Sequence, residues 1–184
     1  MKVRKGYLAM DKAPGETIGK ILDFGGGFTE RQSREVTDSL LRARKKIHLK
    51  GVAHQDMHGN NVLYDLKSKQ MTIIDLGTAR IDARSALVEA LGTNRGRMSF
   101  GQVEAPGDYQ SRPTFTLLNK TSKLADNPVW KRFNANRRAV EAKLKREGAG
   151  SILNASIRKL PRDVTKNLSP ARALELLEEL YEGI

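Results

Sequence analysis

The stretch from His54 to Arg80, HQDMHGNNVLYDLKSKQMTIIDLGTAR, gathers two histidines, three aspartates and two adjacent asparagines around apolar runs. Carboxylate and amide oxygens suit hard cations such as magnesium, and an aspartate beside a hydroxyl can take its proton. Histidines add proton carriers or softer metal ligands. Three readings follow from the residues alone. The group binds a metal and a phosphate, or forms a metal-hydrolase site from His54, Asp56 and His58, or is a polar turn in which Asn and Asp serve as turn formers. The hydrolase reading lacks the additional histidines that such sites use.

The flanking pattern predicts how these groups are held. Thr29 with Gln32 three residues later is a capping-box spacing. Val36, Leu40, Ala43 and Ile47 then recur at helical intervals up to Gly51, so the spacing predicts a long helix leading into His54. The runs VLYDL and MTIID read as two short strands joined by the turn Lys67-Ser68-Lys69-Gln70. Upstream, residues 3–10 read as a strand, Pro14-Gly15 as a turn, and residues 17–24 as a short helix stopped by Gly25, Gly26 and Gly27. Downstream, a helix is expected over residues 82–91. An irregular loop follows, punctuated by Gly92, Gly96, Gly101, Pro106, Gly107 and Pro113. Asn127-Pro128 opens a basic helix with Val129, Phe133, Val140 and Leu144 on one side. Ser169-Pro170 caps a terminal helix packed through Leu174, Leu177 and Leu180.

The 184 residues set a prior of one domain. A hydrophobic share of 39% and a charged share of 29% suit a soluble globular chain. No apolar run reaches membrane-span length, and the N-terminus has no secretory h-region, so a cytoplasmic location is expected. There is no cysteine, hence no disulfide and no thiolate metal site. The net charge of +12 attracts polyanions, nucleic acid and acidic proteins among them, or simply solvates a basic face. Aromatic residues, at 5%, are too few for a single-strand stacking platform.

A loop of pattern His54-x-Asp56-x-His58-x-x-Asn61, followed across a hairpin by Asp75-Leu76-Gly77, resembles the catalytic core of the protein-kinase-like superfamily. Leu76 stands in place of the usual Phe, and His58 in place of a Lys. That variant is more similar to atypical and small-molecule members, such as aminoglycoside phosphotransferases and other bacterial kinase-like enzymes. The resemblance implies ATP and Mg2+ as cofactors, with Asn61 and Asp75 as metal ligands and Asp56 as catalytic proton acceptor. It implies a structural role for His54 and contact between His58 and the transferred phosphate. YLAMDKAPGETI resembles the inter-lobe hinge, which would set Met10, Asp11 and Lys12 against adenine. Gly92-Thr93, Met98-Ser99 and Ala105-Pro106 faintly resemble the end of an activation segment. DYQSRPTFTLL lacks the Asp that normally anchors the catalytic loop from the next helix.

The expected fold is α+β and mostly helical: a kinase-like carboxy-terminal lobe with a small β-hairpin. Residues 1–118 would form hinge and lobe core, and residues 119–184 a basic helical extension packed on the same domain. The glycine-rich loop and phosphate-binding Lys of kinases precede the hinge, so an amino-terminal lobe is expected to be missing, supplied in cis or in trans. The leading function is transfer of the γ-phosphate of ATP to a hydroxyl, on a protein substrate or partner. A non-catalytic interaction component and a basic nucleic-acid-binding protein are the alternatives. No membrane association is expected.

Overall fold

A computed structural model describes residues 12–24, 28, 30–91, 127–155 and 160–184. The strand expected over residues 3–10, the Thr29 cap, the glycine stop and the resemblances at residues 92–118 lie outside them. The elements run β1 (Glu16–Thr17), α1 (Ile18–Phe24), α2 (Glu30–His48), β2 (Val52–Ala53), β3 (Val62–Tyr64), β4 (Met71–Ile73), β5 (Arg80–Ile81), α3 (Ala83–Leu91), α4 (Pro128–Arg146), α5 (Arg162–Asn167) and α6 (Pro170–Leu180). The described chain is mostly helical with two small antiparallel sheets, β1-β3-β4 and β2-β5.

The expected hairpin is β3 and β4, paired Val62 to Ile73, Leu63 to Thr72 and Tyr64 to Met71. Asp65 organises its turn. Its carboxylate accepts the Lys67 amide at 3.0 Å and the Ser68 hydroxyl at 2.6 Å, and its backbone carbonyl accepts the Lys69 amide. β1 adds a third strand, which the sequence reading did not contain, by pairing Glu16 with Tyr64 and Thr17 with Leu63. Gly15 makes that approach possible. Its φ is 95°, and a Cβ there would lie 2.6 Å from the Tyr64 carbonyl carbon and oxygen.

Helix α2 buries two faces. Val36 and Leu40 pack with Ile18, Ile21, Met57, Val62 and Tyr64 in a small core behind the hairpin, with Ile47 half-buried beside them. Leu41 turns the other way, into the larger core, and Arg44 and His48 are buried with it. The polar members of this second face were not legible as core positions.

The larger core is built on α3, whose residues are buried apart from Arg84. Phe133, Val140 and Leu144 of α4 and Ala173, Leu176, Leu177 and Leu180 of α6 close over it. Leu176 takes the core position expected of Leu174, which is only half-buried; the stripe 173, 176, 177, 180 is the true helical face. Each of these leucines contributes roughly 1.5–3 kcal/mol on burial. The predicted caps are present. Ser169 Oγ accepts the Arg172 amide at 3.1 Å and Asn127 Oδ1 accepts the Trp130 amide at 3.0 Å, each ahead of a proline in the first turn. Asn127 also donates to Asp38 at 2.9 Å, tying the start of α4 to α2. The basic face of α4 spends part of its charge internally, through Arg137–Glu141 at 2.7 Å and Lys143–Glu179 at 2.6 Å.

Candidate functional site

Strand β2 pairs with β5, Ala53 opposite Arg80, and delivers the chain into the polar loop at His54. The His54 ring is fully buried. Its Nδ1 accepts the Asp56 backbone N–H at 3.2 Å, and its Nε2 lies 2.8 Å from the Ile74 carbonyl oxygen. An amide N–H only donates and a carbonyl only accepts, so the ring proton sits on Nε2. Thr78 donates its hydroxyl to the His54 carbonyl at 3.1 Å. One histidine thus joins the loop, the strand end before Asp75 and the turn after it. Both ring nitrogens are committed to backbone partners, which leaves neither for a metal. Among the described residues no group of three or more His, Asp or Glu side chains is arranged to hold a metal ion.

Between His54 and Asp56 the backbone is strained. Gln55 has φ 68°, a left-handed conformation that costs a non-glycine residue roughly 1–2 kcal/mol. This kink turns the chain so that the Asp56 carboxylate, whose side chain is 40% exposed, faces outward while His54 stays buried.

Asn61 is buried and holds the loop from its far end. Its side-chain amide donates to the Asp56 backbone carbonyl at 2.9 Å and to Asp56 Oδ2 at 3.3 Å. These contacts assign the nitrogen to the Asp56 side and leave Oδ1 as the acceptor branch of the amide. Asn61 also accepts the Ile74 amide on its backbone oxygen at 2.9 Å. Ile74 therefore touches both His54 and Asn61, and Asp75 follows it directly. Asp75 is exposed with φ 58° and ψ 65°, and its Oδ1 accepts the Gly77 amide at 3.4 Å, capping the short 3₁₀ turn Leu76–Thr78. His58 Nδ1 accepts the Asn60 amide, and its Nε2 lies 3.6 Å from Asp56 Oδ2. Of the nucleotide positions expected from the hinge resemblance, Lys12 is exposed, and Met10 and Asp11 lie outside the described residues.

A family profile described as "Protein kinase domain" matches residues 2–95, just over half of the 184 residues. The chain belongs to the protein kinase domain family. Calcium/calmodulin-dependent protein kinase type 1B of Rattus norvegicus is 30% identical to it over 90 residues, 47% of this chain and 26% of that protein. CDPK-related kinase 5 of Arabidopsis thaliana is 34% identical over 74 residues, 39% of this chain and 12% of that protein. Serine/threonine-protein kinase PKH3 of Saccharomyces cerevisiae is 36% identical over 73 residues, 40% of this chain and 8% of that protein. The chain thus spans about a quarter or less of the length of these relatives.

In this kinase-family chain a carboxylate from a neighbouring helix does reach the polar loop, from a position the sequence did not mark. Glu89 of α3, fully buried, accepts the backbone N–H of Gln55 on Oε2 at 3.2 Å. Burial alone would raise the Glu89 carboxyl. The His48 ring and the Arg44 charge, with the Gln55 amide, outweigh it and hold the group below its ordinary range. Arg44, itself buried, donates to the Glu89 backbone oxygen at 2.6 Å. The available signal was a lone carboxylate inside the otherwise small and apolar helix ARSALVEAL, where a buried acid has to be paired. In this kinase-family chain only residues 78–82 separate the Leu76-Gly77 turn from α3. Asp82 starts that helix by accepting the Arg84 amide at 3.2 Å and the Ser85 hydroxyl at 3.0 Å.

Proposed function

We propose that this kinase-family chain is a phosphotransferase module that binds ATP with Mg2+ and passes the γ-phosphate to a hydroxyl, on a protein substrate. The observation that carries the reading is the orientation of Asn61. Its nitrogen is committed to Asp56, so its amide oxygen is the branch left for another partner, and the Asp75 carboxylate follows a residue bonded to the Asn61 backbone. An amide oxygen and a carboxylate are the donor types that magnesium takes from a protein. Asn61 and Asp75 would hold the ion, which would supply positive charge against the developing negative charge of the phosphates.

Asp56, exposed and oriented by Asn61, takes the proton of the acceptor hydroxyl. The acceptor oxygen forms its bond to the γ-phosphorus as the bond from that phosphorus to the bridging oxygen breaks, and ADP leaves. His58, next to Asp56, contacts the transferred phosphate. Met10, Asp11 and Lys12 line the adenine side. The remaining phosphate contacts, a glycine-rich loop and a Lys, belong to an amino-terminal lobe provided in cis or in trans. In this reading residues 1–118 form the lobe core, and residues 119–184 complete it.

The test is transfer of radiolabelled γ-phosphate from Mg-ATP to a mixed protein acceptor, with the Asp56→Asn variant in parallel. Label transfer that disappears in the variant supports the reading. Equal transfer by both proteins sinks it.

A further inference from the structure

The family match ends at residue 95, yet a buried polar contact behind the loop comes from the end of the last helix. The Tyr181 hydroxyl, at the end of α6, lies 2.7 Å from His48 Nδ1. The opposite ring nitrogen, Nε2, faces Glu89 Oε1 at 3.9 Å, too long for a hydrogen bond but close enough for electrostatic contact. The other Glu89 oxygen accepts the Gln55 amide. Tyr181, His48 and Glu89 are each almost wholly buried.

A bare Nε2 lone pair facing a carboxylate would be repelled, which favours the proton on Nε2 and leaves Nδ1 to accept from the phenol. The line then reads Tyr181 O–H to His48, His48 N–H toward Glu89, and Glu89 to the N–H of Gln55. It ends on the strained residue whose left-handed φ turns Asp56 outward. The His48 and Tyr181 rings also sit 5.8 Å apart between centroids, and Phe133 packs on Tyr181 at 5.6 Å. Both rings are thus packed against aromatic neighbours as well as hydrogen-bonded.

We infer that Tyr181 and His48 are positioning residues for the catalytic loop, acting through Glu89 on the Gln55 amide. The carboxy-terminal helix thus sets the geometry of Asp56 from outside the family-matched region. This rests on the phosphotransfer reading for its consequence to catalysis, but the geometric part can be measured without any turnover.

The experiment is amide hydrogen exchange by NMR on the full chain without nucleotide, for wild type, Tyr181→Phe and Glu89→Gln. Tyr181→Phe keeps the ring and removes only the hydroxyl. In both variants the Gln55 amide should exchange roughly threefold to tenfold faster, the range one hydrogen bond is worth. The amides of Leu87 in α3 and Leu177 in α6 should keep their wild-type rates. With Mg-ATP, kcat should fall by a similar factor while KM for the nucleotide stays constant, because the loop and not the nucleotide contacts has moved. Unchanged Gln55 exchange in Tyr181→Phe overturns the inference, whatever Glu89→Gln does. So does an acceleration shared equally by Leu87 and Leu177, since that reports general loosening of the core. Retained transfer in Asp56→Asn would end the phosphotransfer reading alone, and Gln55 exchange would still decide this one.

Discussion

Asn61 grips Asp56 twice, donating from one side-chain nitrogen to the backbone oxygen and to the carboxylate of the same residue. Replacing it therefore does two things. Asn61→Ala removes the ligand that the proposed reading gives to magnesium, and it frees the carboxylate that Asn61 orients. Displacement of a reacting group by about 1 Å costs on the order of a hundredfold in rate. Transfer by Asn61→Ala should drop by at least about that factor, with a circular dichroism spectrum like that of wild type. Wild-type turnover in a folded variant would remove Asn61 from the site.

Asp56 and Asp75 should separate in a thermal-melt titration. In the proposed reading Asp75→Ala deletes a magnesium ligand and should abolish the Mg-ATP shift. In the same reading Asp56→Asn deletes the proton acceptor and should preserve it. A ligand at a hundred times its Kd stabilises by ~2.7 kcal/mol. For a chain of this size that is roughly 5–10 °C. In the proposed reading, which assigns the glycine-rich loop and Lys to an amino-terminal lobe, these 184 residues should show a much smaller shift at about millimolar Mg-ATP. Addition of an amino-terminal lobe should enlarge it.

Gln55 offers a backbone test. Its φ of 68° is tolerated by glycine and resisted by β-branched side chains. Gln55→Gly should leave stability unchanged or raise it by up to about 1 kcal/mol, whereas Gln55→Val should lower it by about 1–2 kcal/mol. Urea unfolding of the pair measures the difference. A valine variant as stable as the glycine variant would mean that the loop does not hold this conformation in solution.

Stability should fall off on both sides of neutrality for reasons centred on one cluster. Burial, reinforced by Arg44 and His54 against the pull of Glu89, pushes His48 below its ordinary 6.5. The unfolded ring takes a proton as pH falls through about 6.5 while the folded ring refuses it, so acidification below that point destabilises. Burial pushes Tyr181 up from 10.0 to about 12. The unfolded phenol then ionises first, and stability present below pH 10 is lost between about 10 and 12, by roughly 2–3 kcal/mol. Denaturation midpoints across pH should show both arms, and Tyr181→Phe should flatten the alkaline one.

The cap of α6 gives a purely structural control. Ser169→Ala leaves the Arg172 amide without its acceptor and should cost about 1 kcal/mol, or ~2–4 °C in Tm. Leu180→Ala, in the core, should cost about 2–5 kcal/mol. A cap variant as damaging as the core variant would contradict the packing described for α6.

Much of this arrangement was legible in the residues. The loop motif, the hairpin, the long helix before it and the proline-led caps all follow from spacing and local chemistry, which act over a few residues. What was not legible depends on tertiary partners. Arg44, His48 and Glu89 are polar types that composition assigns to the surface, and only their mutual pairing across α2 and α3 makes burial tolerable. Strands β2 and β5 have two residues each, too short for any periodicity. The choice of Leu176 over Leu174 as a core residue turns on the rotation of α6 about its axis, which the leucine-rich run ALELLEEL leaves open.

The closing of α6 over α3 also bears on how the chain is made. Synthesis is vectorial, and domains fold as their residues emerge. The helix that carries Glu89 is complete long before Leu176, Leu177, Leu180 and Tyr181 exist to cover it. Until then its apolar surface waits in the open. A nascent chain arrested before residue 170 therefore carries the entire signature from His54 to Gly77 and lacks its roof. Such an intermediate exposes apolar surface to its surroundings, and the loop from His54 to Asn61 acquires its final shape only once residues 170–181 have emerged.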